Sequence, residues 1–191
     1  MKKLALVLIA GLVLLAQNIS AQDQQNRSLY FDIGMGTGAV SYGEELDDVM
    51  KILDGLGADR TTIYADIAAG IAATQKMYVI FSAAAFADGL HYQNESIIMT
   101  SILASGGIRY YPFVTGLQIG AEMGMGTIKI EVTGEEEIES DPEIGGKFTA
   151  AYDFDSTKTG AALQIGVSLL YSIFEEDTIS GGALFAKFAY K

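Results

Sequence analysis

Between Gly116 and Ile130 the chain alternates: Leu117, Ile119, Ala121, Met123, Met125 and Ile128 interleave with Gln118, Gly120, Glu122, Gly124 and Gly126. A period of two sends successive side chains to opposite faces of a strand, so this segment predicts one oily face and one face of small or polar residues. Seven more segments vary the same theme: 28–42, 61–74, 77–87, 99–111, 147–155, 160–173 and 179–190. In the first, Leu29, Phe31, Ile33 and Met35 oppose Tyr30, Asp32, Gly34 and Gly36; in the last, Leu184, Ala186, Phe188 and Tyr190 form the oily side. The third leaves its parity open, because Val79 and Phe81 compete with Tyr78 and Ile80.

The spacing between segments alternates as well. Short connections at Gln75-Lys76, Pro112 and Ser156-Thr157 separate long ones at 43–60, 88–98 and 133–146, with a short final connection at 174–178. Short turns on one side and long loops on the other, with an even strand number, are the pattern of a transmembrane barrel whose termini share the periplasmic side. The prediction is an all-β fold: an eight-stranded, antiparallel, up-and-down transmembrane β-barrel. Within the first long loop, Leu46, Val49, Met50 and Leu53 fall at helical spacing before Gly55, predicting a short amphipathic helix over the barrel mouth.

Composition fits this reading. Half of the chain is hydrophobic, with 22 Gly, 2 Pro and 10 Tyr. Past the first residues, the apolar side chains are dispersed by alternation rather than massed into a spanning helix. The amino terminus reads as an address. Lys2 and Lys3 precede an apolar run from Leu4 to Ala16, and Ile19-Ser20-Ala21 ends on small residues, which predicts a cleaved secretory signal over 1–21 and a barrel domain over 22–191. With no cysteine, the chain has neither a lipid-acylation site nor a disulfide. Together these features predict a bacterial outer-membrane location.

A resemblance sharpens the picture. Gly106-Gly107-Ile108-Arg109-Tyr110-Tyr111-Pro112-Phe113, followed by Gly116-Leu117-Gln118-Ile119-Gly120-Ala121, resembles a down-strand, turn and up-strand of the porin-like outer-membrane β-barrel family, the small OmpA/OmpX-type barrels. Leu184, Ala186, Phe188 and Tyr190 are similar to the aromatic carboxy-terminal signal of that family, which implies recognition by the barrel-assembly machinery. Lys191 follows that signal, where the family ordinarily ends on an aromatic residue.

The inward face carries the candidate site residues Asp32, Asp66, Arg109, Glu122, Asp153 and Lys187. An eight-strand lumen is just wide enough for side chains to fill, and charges there must pair. The expectation is a polar network in which Arg109 and Lys187 neutralise acids from neighbouring strands and plug the barrel. The acidic excess also admits a narrow cation-preferring path, a porin-like channel for small solutes. Two acidic blocks, around Glu44, Glu45, Asp47, Asp48, Asp54 and Asp59 and around Glu131, Glu135, Glu136, Glu137, Glu139, Asp141 and Glu143, read as solvated outer loops. They lack the alternating Asp-x-Asp-x-Asp-Gly ligand spacing of a calcium loop.

Other classes fare worse. His91 is the single histidine, near Asp88, Glu95 and Ser96, but proximity in sequence does not make a triad. No enzyme activity, cofactor or metal site is expected. A net charge of -12 argues against nucleic acid. A soluble lipocalin-like carrier would turn a Gly, Ala, Ser and Tyr face to water, without the dense Lys and Glu of a solvated surface. The expected role is structural or surface-interacting. The expected partners are outer-membrane lipid and lipopolysaccharide, and an extracellular partner at loops 43–60 and 133–146.

Overall fold

The computed structural model describes residues 29–92, 95–113, 116–134, 137–154, 160–174 and 177–191. The signal segment 1–21, the turn at Ser156-Thr157, and Glu135 and Glu136 lie outside the described residues. The chain runs β1 (Leu29–Ser41), α1 (Glu44–Gly55), β2 (Asp59–Thr74), β3 (Met77–Tyr92), β4 (Glu95–Tyr110), β5 (Leu117–Val132), β6 (Ile138–Glu139), β7 (Glu143–Asp153), β8 (Ala161–Phe174) and β9 (Asp177–Tyr190). Each long strand pairs antiparallel with its neighbours, β1 pairs with β9, and β4 pairs with β5, so the sheet closes. Closure leaves eight wall strands, with the two-residue β6 attached to β5 beyond the end of β7.

Alternation sets the two faces. Phe81, Phe148 and Phe188 are 62%, 62% and 67% exposed on the outside. Their neighbours in sequence, Ile80, Lys147 and Lys187, are buried inside. An outer surface studded with Leu29, Ile33, Met35, Ile67, Ile165 and Leu184 is incompatible with water and suited to lipid. That orientation removes the soluble-carrier reading. No helix of the described residues is long and apolar enough to cross a membrane.

The parity left open in β3 resolves with Tyr78 and Ile80 inward and Phe81 outward. Other expectations need correction. Ile128, grouped by sequence with the oily outer face, packs against the interior instead, because the inward parity of Gln118 and Glu122 carries through to it. The expected loop at 88–98 is strand: β3 and β4 pair through Asp88↔Met99, Leu90↔Ile97 and Tyr92↔Glu95. Backbone pairing continues above the lipid belt because Leu90, Met99 and Ile97 still have an apolar interior to pack against. Likewise β7 begins at Glu143, and β6 occupies part of the expected loop at 133–146.

The predicted helix forms. Asp47 accepts from the Tyr42 amide (2.9 Å) and the Ser41 hydroxyl (2.5 Å), stitching α1 to the end of β1, and Gly57 takes the left-handed backbone just beyond its last turn (φ 85°). Its Met50, with Leu46 and Leu53, packs into the barrel mouth.

Candidate functional site

The lumen is built in tiers. Near the periplasmic end, the Tyr30 hydroxyl donates to Asp32 (2.7 Å), and Gln118 Nε2 donates to the hydroxyls of Tyr30 (3.0 Å) and Tyr111 (2.8 Å). Tyr111 donates to Asp153 Oδ2 at 3.1 Å, which also receives Gln164 Nε2 (3.1 Å) and Lys191 Nζ (2.7 Å). Lys191, the departure from an aromatic terminus, thus turns inward as a counter-charge, its ammonium 5.0 Å from the Tyr111 ring centroid.

The middle tier is a charge cluster. Asp32, Asp66 and Glu122 face Arg109, Lys147 and Lys187, and all six side chains are fully enclosed. Arg109 pairs closely with Glu122 and lies 3.8 Å from Asp66 and 3.9 Å from Asp32. Lys147 reaches Asp66 at 2.8 Å and Glu122 at 3.1 Å; Lys187 pairs with Asp66 and stands 3.6 Å from Asp32. Ser82 and Ser105 donate to Glu122 as well. Three carboxylates matched by three cations leave no net charge, the condition under which such a cluster tolerates dehydration.

Glycine makes the cluster possible. Register places Lys187, Gly34 and Asp66 in one row across β9, β1 and β2. Gly34 has no side chain, so Lys187 lies over it to reach Asp66, where a Cβ would collide with its stem. Gly120, the register partner of Arg109, gives the guanidinium the same room.

The structure brings Asp32, Asp66, Arg109, Glu122 and Lys187 together and joins Asp153 to them through Tyr111, Gln118 and Tyr30. Lys147 was missed from sequence, although it shares the parity of inward-facing Asp153 on β7. Asp88 and Arg60 were also missed as a pair. Asp88 is buried near the outer mouth, accepting from Arg60 Nε (3.0 Å), Arg60 Nη2 (2.7 Å) and the Thr62 hydroxyl (2.9 Å). Burial, and next the charge of Asp88, pushes the Tyr42 phenol well above its ordinary value and keeps it protonated. Above the charge cluster, Phe86, Leu90, Met99, Leu103 and Ile179 pack under α1 and share the outer lumen with the buried Asp88 and Ser101.

The acid, histidine and serine of 88–96 do not converge. Asp88 points into the lumen, His91 is exposed on the opposite face, and Ser96 hydrogen-bonds Thr133 at 2.9 Å. In the acidic loop, Lys129 bridges Glu131 (2.7 Å) and Glu137 (2.8 Å), tying β5 to the segment before β6. The proposed terminal signal residues Leu184, Ala186, Phe188 and Tyr190 all face outward on β9.

The closed antiparallel wall recurs among solved structures. Neisserial surface protein A superposes with a TM-score of 0.61 over 87% of this chain and 99% of that one, at 14% identity. Ail, the attachment invasion locus protein of Yersinia pestis, superposes with a TM-score of 0.56 over 87% of this chain and 100% of that one, also at 14% identity, in complex with the heparin analogue sucrose octasulfate. This is the fold of the small OmpA/OmpX-type outer-membrane barrels. With its lipid-facing belt, the barrel is a bacterial outer-membrane protein. No protein-family model matches the sequence, and a search of curated proteins finds no match.

Proposed function

We propose that this barrel is a structural or surface-interacting component of the outer membrane whose lumen is sealed by its own side chains, with no catalytic role. One observation carries the reading: the charge-balanced cluster of Asp32, Asp66, Glu122, Arg109, Lys147 and Lys187 spans the bore, since Asp66 on β2 meets Lys147 on β7, four wall strands away in either direction. A bore crossed by direct ion pairs has no continuous water path. The test is planar-bilayer recording of the reconstituted protein. The expected result is no steady conductance; large, reproducible, cation-selective openings would overturn the sealed lumen and favour the narrow channel.

The same reading includes cleavage after Ala21, assembly-machinery recognition of Leu184, Ala186, Phe188 and Tyr190, and contact of the belt with lipid and lipopolysaccharide. Loops 43–60 and 133–146 are the surfaces for an extracellular partner. Charge narrows that partner's chemistry. The Ail structure holds a polysulfated ligand, whereas exposed Asp48, Asp59, Glu131, Glu137 and Asp141 make the outer end of this barrel acidic, so a basic or neutral partner fits and a polyanion is repelled.

A further inference from the structure

The wall has one irregular seam. The ladder between β1 and β2 ends at Thr37↔Ile63, although β1 continues to Ser41 and β2 begins at Asp59. Continued in the same register, Gly38 would face Thr62 and Val40 would face Arg60. Side chains replace those backbone bonds: the Thr37 hydroxyl donates to the Thr62 carbonyl (2.9 Å), and Arg60 Nη2 donates to the Val40 carbonyl (2.9 Å). Between the strands lies a cleft of ≈ 360 Å³ lined by Thr37, Gly38, Ala39, Arg60, Thr61 and Thr62. Its depth is telling. The outward residues change from Ile33 and Met35 to Thr37 and Ala39 on β1, and from Ile63 to Thr61 on β2. The seam therefore opens at the upper edge of the lipid belt.

Behind the seam stands the outer chamber of the lumen, where Leu90 and Met99 share the interior with the buried Asp88, and α1 joins the two strand ends, which are unladdered to each other while β1 stays paired with β9 and β2 with β3. The chamber is filled from above by Leu46, Met50 and Leu53 of that helix. At the end of α1, flanking that face, Ile52 and Leu56, the first residue past the helix, remain 64% and 58% exposed, one turn apart. These two widen the apolar face of the helix at its end, which suits it to a lipid interface when it is not in the mouth.

We propose that α1 is a lid, that the β1–β2 seam beneath it parts sideways while β1 stays paired with β9 and β2 with β3, and that the chamber then takes an acyl chain of an outer-leaflet lipid in place of Leu46, Met50 and Leu53. Arg60 is the clasp. Asp88 on β3 holds its guanidinium, which donates across the seam to the Val40 carbonyl of β1, so its loss leaves the Thr37–Thr62 bond alone across the seam. This goes beyond the sealed lumen, because the charge cluster lies below the chamber and stays shut in either lid position. Bilayer conductance tests that cluster alone.

The chain has no cysteine, so Met50→Cys gives a single reporter thiol in proteoliposomes. It is probed with a bilayer-confined alkyl maleimide and, separately, with a charged, impermeant thiol reagent in the water phase. Ala68→Cys, deep in the lower lumen, reports general loosening. The expected result is faster alkyl labelling at Met50→Cys than at Ala68→Cys. Adding Arg60→Ala should raise the Met50→Cys rate by about ten- to a hundredfold, the range carried by a charge-assisted hydrogen bond, and leave the Ala68→Cys rate unchanged. Should Arg60→Ala fail to fold, Thr37→Val opens the same seam by removing the Thr62 bond, with a smaller rise in the same direction. Equal labelling at the two positions in the opened variant would overturn the lid. Faster labelling by the water-phase reagent than by the alkyl reagent would overturn sideways access.

Discussion

Removing the cation of Arg109 while leaving its acids in place is the sharpest perturbation of the lumen. In Arg109→Met the side chain keeps much of its length, but Asp32, Asp66 and Glu122 are left with Lys147 and Lys187 alone. Lys147 already contacts both Asp66 and Glu122, and Lys187 both Asp66 and Asp32, so neither moves to a bereft carboxylate without leaving another. Breaking a buried ion pair by deleting one partner costs about 3–5 kcal/mol. At roughly 1.4 kcal/mol per tenfold, that is about two to four powers of ten in the folding equilibrium. The double variant Arg109→Met with Glu122→Gln restores the charge balance, so it should recover most of the loss. Urea unfolding in lipid vesicles, followed by the heat-modifiable shift on unboiled gels, reads all four members of the cycle. A loss under 1 kcal/mol for Arg109→Met, or a double variant as unstable as the sum of the singles, would refute a coupled network.

Further outcomes follow from the wall and the tiers. Ile67→Arg or Ile165→Arg should cost about 2–4 kcal/mol near the bilayer midplane, whereas Ala68→Ser should be tolerated; equal effects at both parities in the same unfolding assay would disprove the strand phases. Gly34→Ala should push Lys187 off Asp66 and destabilise by about 1–3 kcal/mol, the usual range for overpacking, with Gly106→Ala, where an added methyl meets only ordinary contacts with Phe81 and Ile80, as the comparison. Paired replacement of Phe188 and Tyr190 by Ser should slow barrel assembly in proteoliposomes that contain the assembly machinery; an unchanged folding rate would remove the terminal signal. Amino-terminal sequencing of the exported protein should begin at Gln22, and a retained Met1 would replace the cleaved leader with an anchor.

Much of this protein was legible along the chain. Strand order, the outward set from Leu29 to Met35, the inward acids and the helix after β1 all depend on side-chain parity and local spacing, which are properties of neighbours in sequence. The missed Lys147 was legible in principle, since it lies an even number of residues before Asp153 on one strand. What sequence could not supply is which charges meet. Glu122 faces Lys147 across adjacent strands, but Asp66 meets Lys147 across the bore, and that distance is set by strand number, tilt and stagger once the sheet closes. Only closure could also show that Lys187 reaches its acid over Gly34, or that the β1–β2 ladder gives way to Arg60 and Thr37. Local pattern determines the face on which a side chain stands. The partner it finds there is decided by the curvature of the whole wall, to which every strand contributes.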